Sequence, residues 1–139
     1  MIGKSIDCLE VGDRATFSKT VSESDIYIYA GITGDFNPAH VNQVYAEQTV
    51  FKDRIAHGLL SAGLISTVIA TQLPGPGTIY IRQELDFTAP VYIGDTITAS
   101  VEILEITMDK NRVVLETVCE NQKGNVVIEG KAVVSPPKK

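Results

Sequence analysis

The sequence predicts an α+β protein in which an antiparallel sheet packs against one long helix. From residue 78 onward, apolar residues recur with a period of two in four consecutive segments, which is typical of strands. Before them lies a small, apolar segment, residues 58–73, with the length and composition of a buried helix. Because consecutive strands joined by short turns pair antiparallel, we expect this helix to lie against one face of their sheet.

The first elements are a short strand and a helix. Residues 14–21 have the pattern of a strand. Ser22 then begins a helix with Asp25 at its N3 position, which is a weak capping arrangement. We expect this helix to run to about Thr33 and to stop at Gly34, because glycine ends helices most easily.

Two further helices precede the strands. Asn37 is a candidate N-cap with Pro38 at the first helical position, so a second short helix should carry His40 to about Gln48. The third helix, Gly58 to Leu73, has apolar residues all round, which predicts that it is buried. The Pro-Gly-Pro-Gly segment at residues 74–77 ends it sharply.

The last part of the chain is predicted to form four strands. The first has an expected irregularity near Gln83 and Glu84, and a tight turn over residues 121–125 precedes the last. The predicted strands are residues 79–87, 96–107, 112–120 and 126–135. No repeat or linker divides the chain, so we expect one domain over residues 1–139.

Composition and charge argue against several classes of function. The net charge is −5, with 12 basic and 17 acidic residues, which argues against a nucleic-acid or anionic-membrane partner. Cys8 and Cys119 have no metal-like spacing, so we expect free thiols in a reducing cytoplasm, with one disulfide as the alternative. The N-terminus lacks a signal-peptide pattern, and the segment 58–73 is too short and too polar to span a bilayer. We therefore expect a cytoplasmic protein with no metal site and no membrane association.

A carboxylate and an imidazole lie close together in the sequence. Asp35 and His40 are five residues apart across the Asn37-Pro38 turn, which places a candidate proton acceptor and donor on one stiff loop. The alternative is a loop aspartate after a helix end and a surface histidine. His57, directly before the long helix, is interpreted as a structural residue that packs around the helix start rather than as a catalytic one.

Three segments of the sequence form distinctive motifs. The first and most specific comprises Tyr29, Ile32, Thr33, Gly34, Asp35, Asn37, Pro38, His40 and Ala46. The other two are Ala-His-Gly-Leu-Leu at residues 56–60 and Phe-Thr-Ala-Pro-Val-Tyr-Ile-Gly-Asp at residues 87–95. Together they resemble one family, the MaoC-like (R)-specific enoyl-CoA hydratases, also called hydratase 2. The resemblance covers about Leu9 to Val134, and Ala39 departs from the Leu, Ile or Val that is usual in the family.

The resemblance implies a hot-dog fold, in which the sheet wraps around the buried helix, and a specific reaction. That reaction is reversible syn addition of water to a trans-2-enoyl-CoA, giving the (R)-3-hydroxyacyl-CoA. By resemblance, Asp35 is the base that activates water, and His40 orients that water. The backbone N–H of Gly58 would stabilise the enolate oxygen, and Ser66 would line the site. Family members form homodimers and need no cofactor beyond the acyl carrier itself.

Explanations without a functional role are alternatives for several of these residues. Gly58 is equally explained by close packing alone. For Ser66 we slightly prefer a hydrogen bond back to its own helix. For Lys52 and Arg54 we prefer solvated charges over contacts with CoA phosphates.

The sequence also bears on functions other than hydration. A hot-dog thioesterase often has a carboxylate on its buried helix, whereas residues 58–74 contain none. A 3-hydroxyacyl-carrier-protein dehydratase subunit is a further alternative. A non-catalytic partner subunit is disfavoured because both Asp35 and His40 are present, and a serine hydrolase because Leu59 replaces the first glycine of its motif.

Overall fold

A five-stranded antiparallel sheet forms the body of the protein, and the computed structural model describes every residue from Met1 to Lys139. The strands follow one another in the sheet in the order β1-β3-β4-β5-β2, so β1 and β2 form its two edges. In chain order the elements are β1 (Arg14–Thr20), α1 (Glu23–Thr33), α2 (Pro38–Val41), α3 (Gln43–Ala46), α4 (Gly58–Thr71), β2 (Ile79–Phe87), β3 (Thr96–Thr107), β4 (Arg112–Glu120) and β5 (Val126–Ser135).

The long helix α4 lies on the inner face of the sheet, against β1, β3 and β4. Ile65, Val68 and Ile69 of α4 are buried there. They belong to one core cluster with the inward residues of the strands, which include Ile97, Ala99, Val101 and Ile103 of β3 and Val113, Leu115 and Cys119 of β4. The predicted α+β fold, with a sheet wrapped around a long helix, is therefore confirmed.

The period-two pattern located the strands well, except for one irregularity. The predicted bounds of β2, β3, β4 and β5 agree with the structure, and β1 ends one residue earlier than expected. The register of β2 on β5 shifts between Tyr80 and Arg82, and not near Gln83 and Glu84 as predicted. A bulge at Ile81 is tolerated there because β2 is an edge strand with one unpaired side.

Helix α1 has the ends that the sequence predicts. The Ser22 hydroxyl accepts the Asp25 N–H at 3.1 Å, and the Asp25 carboxylate accepts the Ser22 N–H at 2.9 Å, which completes a capping box. These bonds, together with the ammonium of Lys19 at 2.9 Å, hold the pKa of Asp25 below its usual value. At the other end, Gly34 adopts the left-handed conformation with φ 81°.

The predicted second helix is wrong in its length. The chain forms two single-turn helices, α2 and α3, separated at Asn42. Asn42 has an extended backbone, and its side-chain oxygen accepts the Tyr45 N–H at 3.0 Å, so it caps α3 instead of continuing α2. Asparagine competes with helical hydrogen bonding in this way, and the pattern of apolar residues does not reveal it.

The prediction that α4 is buried is confirmed for only one face of the helix in the single chain. Ile65 is fully buried, whereas Leu59 is 60 % exposed on the opposite flank. The sheet covers only one face of the helix, so the apolar character of the other flank is unexplained by contacts within one chain. No helix of the structure combines the length and the apolar character that crossing a bilayer requires.

Both cysteines are free thiols with different surroundings. Cys8 is exposed, and Cys119 is buried under α4. Burial raises the pKa of Cys119 to about 12, so this group remains a neutral thiol.

Gly130 of β5 allows the edge strand β2 to approach closely. A Cβ on this residue would overlap the backbone carbonyl of Glu84. We therefore expect Gly130→Ala to lower the free energy of unfolding by several kcal/mol, measured by urea denaturation, because backbone atoms cannot move aside cheaply. Gly31→Ala in α1 meets no atom within 4 Å and should raise stability by up to about 1 kcal/mol. Equal stability of the two variants would contradict this packing.

Candidate active site

The loop between α1 and α2 presents the Asp35 carboxylate to solvent. The Asp35 N–H donates to the Thr33 hydroxyl at 3.2 Å, and the Asn37 N–H donates to Asp35 Oδ1 at 3.2 Å. Asn37 also caps α2, because its side-chain oxygen accepts the Ala39 N–H at 3.0 Å. The loop is therefore held by short-range hydrogen bonds that the residue types Thr, Asp and Asn supply.

His40 lies in the single turn of α2, and its ring orientation is fixed by the backbone. Its Nδ1 lies 2.6 Å from the carbonyl oxygen of Ile55. Because a carbonyl oxygen only accepts, Nδ1 must carry the proton. In the neutral ring Nε2 is then free to accept a hydrogen bond or a proton.

His57 connects the loop to the start of α4. It is 3 % exposed, and its Nε2 donates to the backbone carbonyl of Asp35 at 2.9 Å. Its ring packs on His40, with centroids 3.9 Å apart, and on Tyr29, with centroids 4.6 Å apart. These contacts agree with the interpretation of His57 as a structural residue, since they position both Asp35 and His40.

The three side chains converge on one small space. The ligating atoms of Asp35, His40 and His57 all lie within 4.8 Å of one another. One water molecule with two hydrogen bonds of about 2.8 Å can bridge such a separation. A carboxylate with two imidazoles is also a donor set that transition metals accept. The backbone carbonyls already occupy one nitrogen of each ring, so the groups left for any ligand are the carboxylate, His40 Nε2 and His57 Nδ1.

A mostly apolar cavity of about 300 Å³ opens beside His40. Its polar contributions come from His40, the start of α4 at Gly58, and Ser61. Asp35 is exposed and is not part of the lining. The apolar wall consists of Ile55, Ala56, Phe87, Ala89, Pro90, Val91, Val127 and Ile128. The arrangement suits an extended apolar ligand whose polar end meets the carboxylate–imidazole pair.

Gly58 opens α4 without a capping side chain. The N-cap is His57, which makes no side-chain hydrogen bond to the helix, so the first N–H groups of α4 have no acceptor within the helix. A Cβ on Gly58 would lie 2.6 Å from two ring carbons of Phe87. Close packing at Gly58 is therefore real, and the role of its N–H as an enolate donor stays a prediction.

Ser66 lies away from this cavity in the single chain. It is half-buried and does not contribute to the lining. At about 100° per residue, Ser66 lies roughly 140° around the helix from Ser61, toward the exposed flank of Leu59. The preferred alternative, a hydrogen bond back to its own helix, is not observed: Thr67 and Thr71 make such bonds and Ser66 makes none. The role of Ser66 in lining the site stays a prediction.

The interpretation of Arg54 as a solvated charge is wrong. Its guanidinium donates to Gln43 at 3.0 Å, to the Tyr27 hydroxyl at 2.5 Å and to Glu23 at 2.8 Å, and its side chain is only 14 % exposed. The bond to Glu23 raises the pKa of Arg54. Arg54 thus ties the segment before α4 to α1 and α3, whereas Lys52 is exposed.

Ser61 lines the cavity, although the sequence analysis predicts no role for it in the site. It is fully buried, and its hydroxyl has no hydrogen-bonding partner in the protein. A signal was present, because helical spacing places Ser61 on the same face as the core residues Leu64, Ile65 and Val68. A single hydroxyl on an otherwise apolar buried face is the feature that could have identified Ser61 as a residue of the site.

The fold and the site together define a class: hot-dog proteins with a carboxylate–imidazole pair next to the N-terminus of the central helix. The model of the MaoC like domain matches residues 10–125. The chain therefore belongs to the MaoC-like family, as its motifs predict.

Known relatives cover nearly the whole chain. It is 55 % identical over 129 residues to an "(R)-specific enoyl-CoA hydratase" of Rhodospirillum rubrum, covering 93 % of this chain and 89 % of the relative. It is 47 % identical to a "3-hydroxybutyryl-CoA dehydratase" of Methylorubrum extorquens, covering 94 % and 83 % of the two chains. The solved structure of the R-hydratase PhaJ1 from Pseudomonas aeruginosa superimposes with a TM-score of 0.93 at 45 % identity, covering 99 % and 88 %.

The Arg54 contacts predict that this residue holds the backbone carbonyl that binds His40. Arg54→Met removes three hydrogen bonds and should lower the free energy of unfolding by about 1–3 kcal/mol. It should also change the ¹⁵N resonance of the His40 ring, because Ile55 follows Arg54 directly. Arg112→Met, which removes an exposed guanidinium at a hairpin tip, is the control and should change neither quantity. A normal His40 resonance in Arg54→Met would contradict the link.

Proposed function

We infer that this protein is an (R)-specific enoyl-CoA hydratase, a hydro-lyase that adds water reversibly to trans-2-enoyl-CoA to give (R)-3-hydroxyacyl-CoA. The observation that carries this inference is the shared space between the Asp35 carboxylate and the His40 ring, within 4.8 Å, beside an apolar cavity. The hydratase and dehydratase names of relatives that cover nearly the whole chain support the same reaction.

The arrangement of acceptors suggests how the pair handles one water molecule. The Asp35 carboxylate and the Nε2 of a His40 ring whose proton is on Nδ1 both present acceptors, and water has two protons to donate. Held by both groups, the water directs a lone pair at C3 of the enoyl thioester. One of the two groups takes a proton as the C–O bond forms. A proton is then delivered to C2 from the same side, which gives syn addition.

Attack at C3 moves negative charge onto the thioester oxygen. The free N–H groups at the start of α4 suit this charge, because they combine a hydrogen bond with the positive end of the helix dipole. Gly58 lines the cavity, so its N–H is the assigned donor. This scheme requires no cofactor beyond the CoA arm of the substrate.

A hot-dog thioesterase is the main rival, and the composition of α4 disfavours it. No residue from Gly58 to Thr71 is acidic, so the helix offers no carboxylate to attack or to activate water at the thioester carbon. Release of free thiol from crotonyl-CoA, measured with a thiol reagent, would favour the rival. Loss of the enoyl absorbance without thiol release supports hydration.

The central experiment measures hydration by the purified protein alone. With trans-2-enoyl-CoAs of increasing length, we expect loss of the enoyl absorbance and, on chiral analysis, the (R)-3-hydroxyacyl product. Asp35→Asn and His40→Ala should each lower kcat by about 10²–10⁴, because each removes one acceptor for the water. Asp109→Asn, in an exposed turn remote from the site, should retain normal turnover. Near-normal kcat in Asp35→Asn would exclude that carboxylate from the mechanism.

We also propose a cytoplasmic homodimer. The edge strand β2 has one unpaired side and carries exposed Ile79, Ile81 and Phe87, and the free flank of α4 carries Leu59. Unpaired edges with large apolar side chains favour association, and a two-fold arrangement is the commonest closed solution. Ser66 lies toward the same flank of α4, so a second copy there would bring its surface next to Ser66. Two free thiols fit a reducing compartment.

Light scattering coupled to size-exclusion chromatography tests the dimer. The chain has a mass of 15.0 kDa, so a dimer should give about 30 kDa. Ile79→Lys places a charge on the exposed edge of β2 and should shift the protein toward monomer. Met108→Lys, at the opposite β3–β4 hairpin tip, is the control and should leave the mass unchanged. A 15 kDa species for the unmodified protein would exclude the dimer.

A further inference from the structure

The buried hydroxyl of Ser61 requires a physical explanation. Ser61 is 0 % exposed, lines the cavity with His40 and Gly58, and has no protein partner for its Oγ. An unsatisfied buried hydroxyl destabilises a folded protein, and such groups are uncommon in native structures. An alanine at this position would fill nearly the same volume without that cost.

The backbone places this hydroxyl at the same end of α4 as Gly58. Ser61 is three residues after Gly58, one helical turn on, and Cα–Cβ bonds of a helix tilt toward its N-terminus. The Cys119 thiol donates to the backbone carbonyl of Ser61 at 3.7 Å, which anchors this turn to β4. The backbone of Ser61 is therefore held by the helix and the sheet together, at the wall of the cavity that Gly58 also lines.

We propose that Ser61 is a second hydrogen-bond donor to the thioester carbonyl oxygen, next to the Gly58 N–H. This assignment rests on the proposed hydratase function. C3 and the water must lie at Asp35 and His40, so the remaining polar atom of the substrate's reacting end is the thioester oxygen. Oxyanion sites are commonly built from a backbone N–H together with a side-chain donor such as a serine hydroxyl.

His57 offers a competing partner for the same hydroxyl. Its Nε2 donates to Asp35, so its buried Nδ1 is an unpaired acceptor, four residues before Ser61 on the same helix face. If Ser61 served His57, removing the hydroxyl would cost stability. If Ser61 serves the substrate, removing it relieves an unpaired group in the free protein.

The test compares Ser61→Ala with Thr117→Val. Thr117 is also fully buried, but its hydroxyl accepts from Gln83 at 2.9 Å and lies outside the cavity lining. We expect Ser61→Ala to unfold at equal or higher urea concentration than wild type, while kcat for crotonyl-CoA falls about 10²-fold with little change in KM. Thr117→Val should lose stability and keep its kcat.

A binding measurement separates this proposal from the proposed function. Butyryl-CoA labelled with ¹³C at the thioester carbonyl has no double bond to hydrate, and hydrogen bonds lower its infrared carbonyl stretch. The stretch should fall on binding to wild type and return part of the way in Ser61→Ala. This result without hydration of crotonyl-CoA by wild type would reject the hydratase function and retain the Ser61 contact.

Three results would overturn the Ser61 assignment. The first is an unchanged kcat and an unchanged carbonyl stretch in Ser61→Ala. The second is no shift of the carbonyl stretch when butyryl-CoA binds to wild type. The third is a loss of stability in Ser61→Ala together with altered ring resonances of His57. The last result would assign the hydroxyl to His57.

Discussion

The hydrogen bond from His40 Nδ1 to the carbonyl of Ile55 determines the chemistry available at this site. At 2.6 Å it fixes the ring orientation and the position of the proton, so the backbone decides that Nε2 faces the ligand as an acceptor. The carbonyl is itself fixed, because the Ile55 N–H donates to Ala39 at 3.2 Å and the Ala56 N–H donates to Val91 at 2.7 Å. The acid–base pair therefore depends on the segment before α4 being held from both sides.

Much of the fold could be predicted because its signals are local. The Ser22–Asp25 capping box, the glycine at position 34 and the alternation in β3 and β4 each act within a few residues. The break at Asn42 was missed because an asparagine side chain can cap a helix or point into solvent with the same sequence pattern. The bulge at Ile81 depends on the pairing of β2 with β5, which periodicity does not encode.

The site was predictable only in part, because some of its contacts join residues that are distant in the sequence. Asp35 and His40 lie on one short loop, so their proximity follows from sequence distance, and the family motif identifies them. Arg54 was misread because its partners, Tyr27 and Glu23, are some 30 residues away in sequence and are brought to it only by the fold. The proton on His40 Nδ1 likewise depends on the Ile55 carbonyl, which has no side-chain signature.

The N-termini of the two long helices, α1 and α4, differ: the first is capped, which stabilises the helix, and the second is uncapped, which leaves its N–H groups available for function. Helix α1 begins with a complete capping box, in which serine and aspartate satisfy the backbone donors. Helix α4 has His57 as its N-cap, and the ring of His57 bonds to the backbone carbonyl of Asp35 instead of to the helix, so the N–H of Gly58 stays free beside the cavity. A serine, aspartate or asparagine at position 57 could cap α4 for about 1 kcal/mol, but its side chain would occupy those donors and the contact to Asp35 would be lost. The uncapped end of α4 is thus the physical source of its ability to stabilise a developing negative charge.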